Sequence, residues 1–139
     1  MTMLFVTCWL PGSGKSTWAK QFAKDRWYIY LNTDDLTATF YQTTYMQWFA
    51  TWWFFDIVRS AIEKHWDAVV DACFVNWKTR SQFISLFPET AIEWHIFDTP
   101  VEECIRRQSL RDRVVDTAII EWMARDISFP TNQPLYVKH

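Results

Sequence analysis

The chain has 139 residues, of which 50% are hydrophobic and 19% aromatic, and its formal net charge is −2. A chain of this length is expected to form one domain with a buried core. Because the net charge is negative, the protein has no overall positive field that would attract nucleic acid. Any anionic substrate must therefore be held by local cations.

The cysteines and the hydropathy of the sequence indicate the cellular compartment of the protein. Cys8, Cys73 and Cys104 show no paired spacing, so neither a disulfide framework nor a zinc site is expected. Residues 1–8 lack the basic segment of a signal peptide, and no apolar stretch reaches the length of a membrane span. A cytoplasmic protein without membrane contact is therefore expected.

The predicted elements alternate between strands and helices in chain order. Strands are predicted at 3–8, 27–31, 68–73 and 91–97, and helices at 15–25, from 32 onward, and at 46–64, 78–87, 100–109 and 116–127. Consecutive strands joined by helices must run parallel, with right-handed crossovers. The pattern predicts an α/β fold of three layers, in which a mostly parallel central sheet is covered by helices on both faces.

The strongest motif ends the first predicted strand and opens the first helix. It consists of Pro11, Gly12, Ser13, Gly14, Lys15, Ser16 and Thr17. The N–H groups of such a loop and the N-terminus of the following helix cradle a β-phosphate, while the lysine bridges the β- and γ-phosphates. The serine hydroxyl is a ligand for magnesium. The motif therefore predicts binding of ATP and Mg²⁺ to these residues, and the alternative is a chance turn.

Trp9 departs from this motif, because the full pattern has glycine at its first position. If the position requires a positive φ, the strain would be about 1–3 kcal/mol. Nucleotide affinity would then fall. An inactive nucleotide-binding module is therefore one alternative function.

Asp34 and Asp35 follow the second predicted strand, where parallel sheets bind their ligands. A carboxylate at this point can face a γ-phosphate and accept the proton of an incoming hydroxyl. Alternatively, Asp34 only caps the next helix. We interpret Asp34 as a general base and Asp35 as a partner of the helix dipole.

With these motifs the chain resembles the polynucleotide 5′-hydroxyl kinase family of T-even phages and their relatives. The resemblance covers about residues 3–127, and its strongest part is LPGSGKSTWAKQFAK at 10–24 with NTDD at 32–35. Weaker matches are Asp71, FDTP at 97–100 and an arginine-rich segment. It implies a single P-loop kinase domain over 1–139 with a helical lid at about 106–116.

The resemblance also implies roles for single residues. It places Lys15 and Ser16 on phosphate and metal, Asp34 as the base, and Asp71 near the magnesium shell or the acceptor. It makes Arg107 and Arg111 lid cations. Guanidinium groups stabilise a transferring phosphoryl group, although cations at a helix end are also explained by the macrodipole. We interpret both arginines as catalytic.

The implied acceptor is the 5′-hydroxyl of a nucleic-acid end. Relatives carry an arginine for the acceptor phosphate where this chain has Thr37, and asparagine where it has Cys73. The missing arginine at Thr37, with the acidic net charge, favours the alternative of a small-molecule acceptor such as a nucleoside or a sugar, whereas Cys73 favours the inactive module.

An aromatic cluster lies at Trp48, Phe49 and 52–55. It suits a platform on which bases stack, but its helical spacing is also that of ordinary core, and we interpret it as core. Some exposed aromatic surface is expected, and it would promote self-association.

Overall fold

The computed structural model describes residues 2–33, 44–111, 116–129 and 136–139. These contain, in chain order, β1 (Met3–Cys8), α1 (Lys15–Arg26), β2 (Ile29–Asn32), α2 (Thr44–Glu63), β3 (Ala68–Asp71), α3 (Trp77–Leu86), β4 (Ala91–Ile96), α4 (Val101–Ser109), α5 (Thr117–Arg125) and β5 (Tyr136–Lys138). The predicted alternation of strands and helices is confirmed.

The described strands form one sheet in the order β2-β3-β1-β4-β5, and every neighbouring pair is parallel. The predicted parallel sheet is therefore correct. The fifth strand was not among the four predicted strands. It pairs with β4 through Trp94↔Tyr136, His95↔Val137 and Ile96↔Lys138.

Alternation along β1 assigns its side chains to two faces. Leu4 and Val6 belong to the main core with residues of α2 and α3, such as Val58 and Phe83. Phe5 faces α1, where it packs in a cluster that includes Ala19. Small side chains on α1 allow the helix to approach the sheet closely. The helix that follows the phosphate loop is thereby fixed to the strand that precedes it.

Helix ends are set by local side chains. The Oδ1 atom of Asn76 accepts a hydrogen bond of 2.7 Å from the backbone N–H of Thr79 and caps α3. Asp116 caps α5 in the same way. At the end of α1, Trp27 takes a left-handed conformation with φ 59° and is 95% exposed. Glycine usually occupies such a position.

The aromatic cluster of α2 divides between core and surface. Phe54 is 2% exposed and Phe55 packs against the same core, which agrees with the interpretation as core. Trp52 and Trp53 are 48% and 40% exposed. The side chains of Trp48 and Phe49 lie outside the described part of the chain.

Arg80 of α3 is fully buried and holds the last segments of the chain in place. Its Nη1 donates 2.7 Å to the carbonyl oxygen of Phe74, its Nη2 donates to the carbonyl oxygen of Ser128, and its Nε donates 3.1 Å to the Tyr136 hydroxyl. The guanidinium carbon lies 4.3 Å from the centre of the Phe129 ring. This arginine therefore joins α3 to the segment after α5 and to β5.

Within the described ranges, no helix combines the length and the apolar character that a membrane crossing requires.

Candidate active site

The loop between β1 and α1 turns in the left-handed region at both of its glycines. The φ angles are 83° at Gly12 and 95° at Gly14, values that residues with a β-carbon rarely adopt. A β-carbon on Gly12 would also lie 2.5 Å from the carbonyl oxygen of Cys104 in α4. Glycine is therefore required at position 12 for the backbone conformation and for the close approach of α4.

Lys15 begins α1, and its ammonium group is buried inside the loop. The residue is 7% exposed, and Nζ donates a hydrogen bond of 3.2 Å to the carbonyl oxygen of Leu10. In the part of the chain that the structure describes, no carboxylate forms an ion pair with Lys15. A buried charge that lacks a counter-charge is unfavourable. The loop is therefore suited to an anion that would pair with this ammonium.

Ser13 supplies a second unsatisfied group in the same loop. Its hydroxyl oxygen is buried and has no hydrogen-bond partner within the described ranges, which is uncommon for a buried polar atom. Its carbonyl oxygen accepts a hydrogen bond of 2.9 Å from Thr99 Oγ1, between β4 and α4. No side chain caps the N-terminus of α1 at Gly14, so the first N–H groups of the helix are oriented toward the same space. These features fit a phosphate group.

Asp71 ends β3 beside the loop and is 2% exposed. Its Oδ1 accepts 3.2 Å from Thr7 Oγ1, and its Oδ2 accepts 2.6 Å from the Tyr30 hydroxyl and 2.9 Å from Asn32 Nδ2. Asn32 pairs with Asp71 in the register of β2 and β3. Adjacent strands of the parallel sheet thus present one polar cluster on the face that α1 covers.

Tyr30 is a half-buried member of this cluster. Burial, and next the hydrogen bond to Asp71, raise the pKa of the Tyr30 phenol above its ordinary value, while hydrogen bonds from Asn32 and Ser16 oppose that shift. The phenol therefore keeps its proton at neutral pH.

Trp9 is accommodated at the first position of the loop by an extended backbone. Its φ of 158° is close to the fully extended value, and its N–H donates 2.9 Å to the carbonyl oxygen of Cys73. The indole Nε1 donates 2.7 Å to the carbonyl oxygen of Thr99, and the ring stacks on Phe129 with centroids 6.1 Å apart. The φ at position 9 is thus positive, although it lies far from the left-handed helical value of about 57°.

Arg107 of α4 lies over the phosphate loop. Its Nη1 would be 3.5 Å from a β-carbon on Gly14, and its Nε donates 3.0 Å to Glu103 Oε1. Hydrogen bonds from Arg106 first, and then from Arg107, lower the pKa of the Glu103 carboxyl to about 2. Arg111 is exposed just beyond the end of α4.

Four of the residues selected from the sequence lie together at the carboxyl edge of the sheet: Lys15, Ser16, Asp71 and Arg107. Asp34, Asp35 and Thr37 lie outside the described residues, as does 112–115 of the expected lid. Tyr30, Asn32 and Thr7 were not predicted as partners of Asp71. Alternation along the strands was the signal for them, since Thr7 is polar in an otherwise apolar β1.

The residues present fit the nucleotide better than they fit a metal ion alone. The uncompensated Lys15 ammonium, the unpaired Ser13 hydroxyl and the N-terminus of α1 all favour phosphate. The described residues contain no group of three or more His, Cys, Asp or Glu side chains that could hold a metal ion. Magnesium keeps few protein ligands and is bound largely through substrate phosphates, so a site completed by a nucleotide is consistent with the Ser16 hydroxyl.

Solved structures share this fold. A chain of the Pnkp1/Rnl/Hen1 RNA repair complex matches with a TM-score of 0.81 at 21% identity, over 90% of this chain and 43% of that chain. The chain therefore spans less than half the length of that relative. A gluconokinase from Sinorhizobium meliloti 1021 matches with a TM-score of 0.67 at 12% identity, over 99% of this chain and 80% of that chain.

A third match is the Mycobacterium tuberculosis APS kinase CysC, in complex with AMPPNP and APS. Its TM-score is 0.68 at 15% identity, over 99% of this chain and 88% of that chain. No curated protein matches the sequence. The family model described as an AAA domain matches residues 4–130. The chain therefore belongs to the AAA domain family, and its fold is that of the P-loop kinases.

Proposed function

We propose that this chain transfers the γ-phosphate of ATP to a hydroxyl group, and that the acceptor is the 5′-hydroxyl of a nucleic-acid end. One observation carries the proposal: among the described residues, the buried Lys15 ammonium has only the Leu10 carbonyl as a partner, inside a loop with two left-handed glycines. Such a site suits the terminal phosphates of a nucleotide.

In this proposal, the phosphate loop binds ATP, the phosphate donor. Lys15 holds the β- and γ-phosphates, the N–H groups of 12–17 surround the β-phosphate, and Ser16 is the protein ligand of magnesium. Magnesium, when bound, neutralises charge on the phosphate oxygens. Asp71, at the end of β3, is assigned to the surroundings of the metal.

On the acceptor side, Asp34 takes the proton of the hydroxyl group. The oxygen freed of its proton forms a bond to the γ-phosphorus, while the bond from that phosphorus to the bridging oxygen breaks and ADP leaves. Arg107 and Arg111 neutralise the charge that spreads over the moving phosphoryl group. The position of Arg107 over Gly14 supports its part in this proposal.

The nucleic-acid acceptor is supported by the resemblance of 10–24 and 32–35 to polynucleotide 5′-hydroxyl kinases. The likeness of fold to a chain of an RNA repair complex agrees with it. A small-molecule acceptor is the second candidate, because a gluconokinase and an APS kinase share the fold over 99% of this chain. The net charge of −2 also favours it.

A transfer assay separates these candidates. ATP labelled at the γ-phosphate is offered with an oligonucleotide bearing a 5′-hydroxyl, the same oligonucleotide bearing a 5′-phosphate, a nucleoside and gluconate. We expect label on the 5′-hydroxyl oligonucleotide and none on its phosphorylated match. Label on the nucleoside or gluconate alone would replace the first candidate with the second.

Lys15→Met is the matched control for this assay. It should abolish transfer to every acceptor while the circular dichroism spectrum and the thermal midpoint stay near those of the wild type, since Lys15 contributes an unfavourable buried charge to the free protein. If calorimetry with ATP and magnesium shows no binding to the wild type, the kinase proposal is wrong.

A further inference from the structure

Thr99 lies between β4 and α4, and three contacts hold its backbone. Its N–H donates 2.8 Å to the carbonyl oxygen of Phe97, and its carbonyl oxygen accepts 2.7 Å from the indole Nε1 of Trp9. The Cys104 thiol lies 3.7 Å from the same carbonyl oxygen. These contacts fix the backbone from which the Thr99 side chain reaches the phosphate loop.

The Thr99 hydroxyl sets the direction of one peptide group in that loop. Its Oγ1 donates 2.9 Å to the carbonyl oxygen of Ser13, a residue that is 4% exposed. In a trans peptide group, the carbonyl oxygen and the N–H of the next residue point in opposite directions. The Gly14 N–H is therefore directed away from Thr99.

The Gly14 N–H is the first N–H group in front of α1. No backbone carbonyl among the described residues accepts a hydrogen bond from it, whereas the Gly14 carbonyl oxygen accepts 3.2 Å from the N–H of Trp18. Gly14 is the N-cap residue of α1, and the next residue, Lys15, carries the buried ammonium group. An N–H group at a helix N-terminus, beside a buried cation, suits a phosphate oxygen.

We propose that Thr99 is a positioning residue, which holds the peptide group between Ser13 and Gly14 so that the Gly14 N–H donates to the β-phosphate of a bound nucleotide. Thr99 acts through the loop backbone and does not itself touch the nucleotide. The inference rests on the proposed function, because it assigns the loop to a nucleotide phosphate. Without the hydroxyl, this peptide group is free to rotate, and nucleotide binding must then restore its direction at a cost in affinity.

The glycine content of the chain makes the Gly14 N–H directly observable. The sequence has 2 glycines, and both lie in the loop, so labelling with ¹⁵N-glycine isolates their amide signals. Labelling the serine carbonyl carbon with ¹³C then identifies Gly14, because Ser13 precedes it whereas Pro11 precedes Gly12. On titration of the wild type with ADP and magnesium, the Gly14 amide proton should shift downfield, as an N–H that donates to an anion does.

Calorimetry measures the affinity for ADP in three variants. Thr99→Val should weaken binding by about three- to tenfold, the loss expected from one hydrogen bond, and should diminish the Gly14 shift. Thr99→Ser keeps the hydroxyl and should retain both. Thr79→Val is the matched control, because Thr79 Oγ1 donates 2.7 Å to Asn76 Oδ1 at the start of α3. It should lower the thermal midpoint but leave ADP binding unchanged.

Thr99→Ala should show the same loss of affinity and serves where Thr99→Val fails to fold. Wild-type affinity in Thr99→Val, an equal loss in Thr99→Ser, or a Gly14 signal that does not move when ADP binds would overturn the inference. An equal loss in Thr79→Val would also overturn it, since affinity would then follow stability. A wild type that binds no ADP would instead overturn the proposed function.

Discussion

Trp9 and Thr99 are joined by a hydrogen bond in which the indole Nε1 donates to the Thr99 carbonyl oxygen over 2.7 Å. The Thr99 hydroxyl in turn donates 2.9 Å to the carbonyl oxygen of Ser13. The first residue of the phosphate loop is therefore connected to its central turn through the segment between β4 and α4. The large ring at position 9 supports the loop that it was expected to disturb.

Trp9→Phe should lower the free energy of unfolding by about 1 kcal/mol, because the ring stays on Phe129 while the hydrogen bond to Thr99 is lost. Trp9→Gly restores the full motif but removes the ring, and it should lower the free energy of unfolding by about 3 kcal/mol. Urea unfolding measures both. Trp27→Phe, at a residue that is 95% exposed, is the control and should change nothing. A Trp9→Gly variant as stable as the wild type would contradict this role.

Asp34→Asn should reduce phosphate transfer by about 10²–10⁴-fold, since an amide cannot accept the acceptor's proton. Affinity for ATP, measured by calorimetry, should stay within about twofold. Asp35→Asn tests the adjacent carboxylate and should retain most of the transfer rate. Full activity of Asp34→Asn would exclude it as the base.

Much of this fold was predictable from local patterns. Residues 3–8 form a mostly apolar strand before a phosphate-loop motif, and the structure begins and ends β1 at those residues. β5 was missed because it is only three residues long and follows Pro130 and Pro134, which favour an extended tail. Strand pairing with β4 decides its conformation, and a single sequence does not encode that contact locally.

In the candidate site too, some residues were predictable from local sequence patterns and others were not. Lys15 and Ser16 belong to a contiguous motif, so spacing alone identified them. The contacts of Asp71 with Tyr30 and Thr7 depend on the register of three strands, which no local pattern fixes. The burial of Arg80 was also missed, because α3 alone gives no sign that later segments of the chain cover it.

Arg80→Met should destabilise the protein by about 2–4 kcal/mol, because the carbonyl oxygens of Phe74 and Ser128 would lose their charged donor while remaining covered. Arg59→Met is the matched control. Arg59 forms an exposed ion pair with Asp56 at 3.0 Å, so Arg59→Met should lower the free energy of unfolding by about 0.5 kcal/mol or less. Chemical denaturation compares the two. Equal effects would show that the contacts of Arg80 contribute little.

Trp27→Gly should raise the free energy of unfolding by about 0.5–1 kcal/mol, because Trp27 holds a φ of 59° that glycine adopts without a β-carbon penalty. Trp27→Ala removes the ring but keeps the β-carbon, so it should give no such gain. Thermal and urea unfolding of the two variants isolate the backbone effect. A Trp27→Ala variant as stable as Trp27→Gly would refute it.

His95 makes the folded state sensitive to acid. Burial lowers the pKa of the His95 imidazole, and the charges of His139 and Arg26 lower it further, although the hydrogen bond with Glu93 opposes them. Below about pH 6.5 the unfolded chain therefore binds a proton that the folded protein does not, and stability falls as the pH falls. The slope for one proton is at most about 1.4 kcal/mol per pH unit.

Unfolding by urea at about pH 7 and about pH 5 measures this sensitivity. His95→Gln should reduce the difference between the two conditions. His65→Gln, at an exposed residue after α2, should retain it. An undiminished difference in His95→Gln would assign the acid sensitivity to other groups.

The fit of Gly12 against Cys104, where a β-carbon would be 2.5 Å from the carbonyl oxygen, has a mechanical consequence. α4 also carries Arg107. The same helix therefore contacts the phosphate loop at Gly12 through Cys104 and places the Arg107 guanidinium near Gly14. Under the proposed function, a shift of α4 would disturb nucleotide binding and charge neutralisation together. Substitutions that change the acceptor of the proposed reaction should therefore be tolerated best in segments that do not pack against α4.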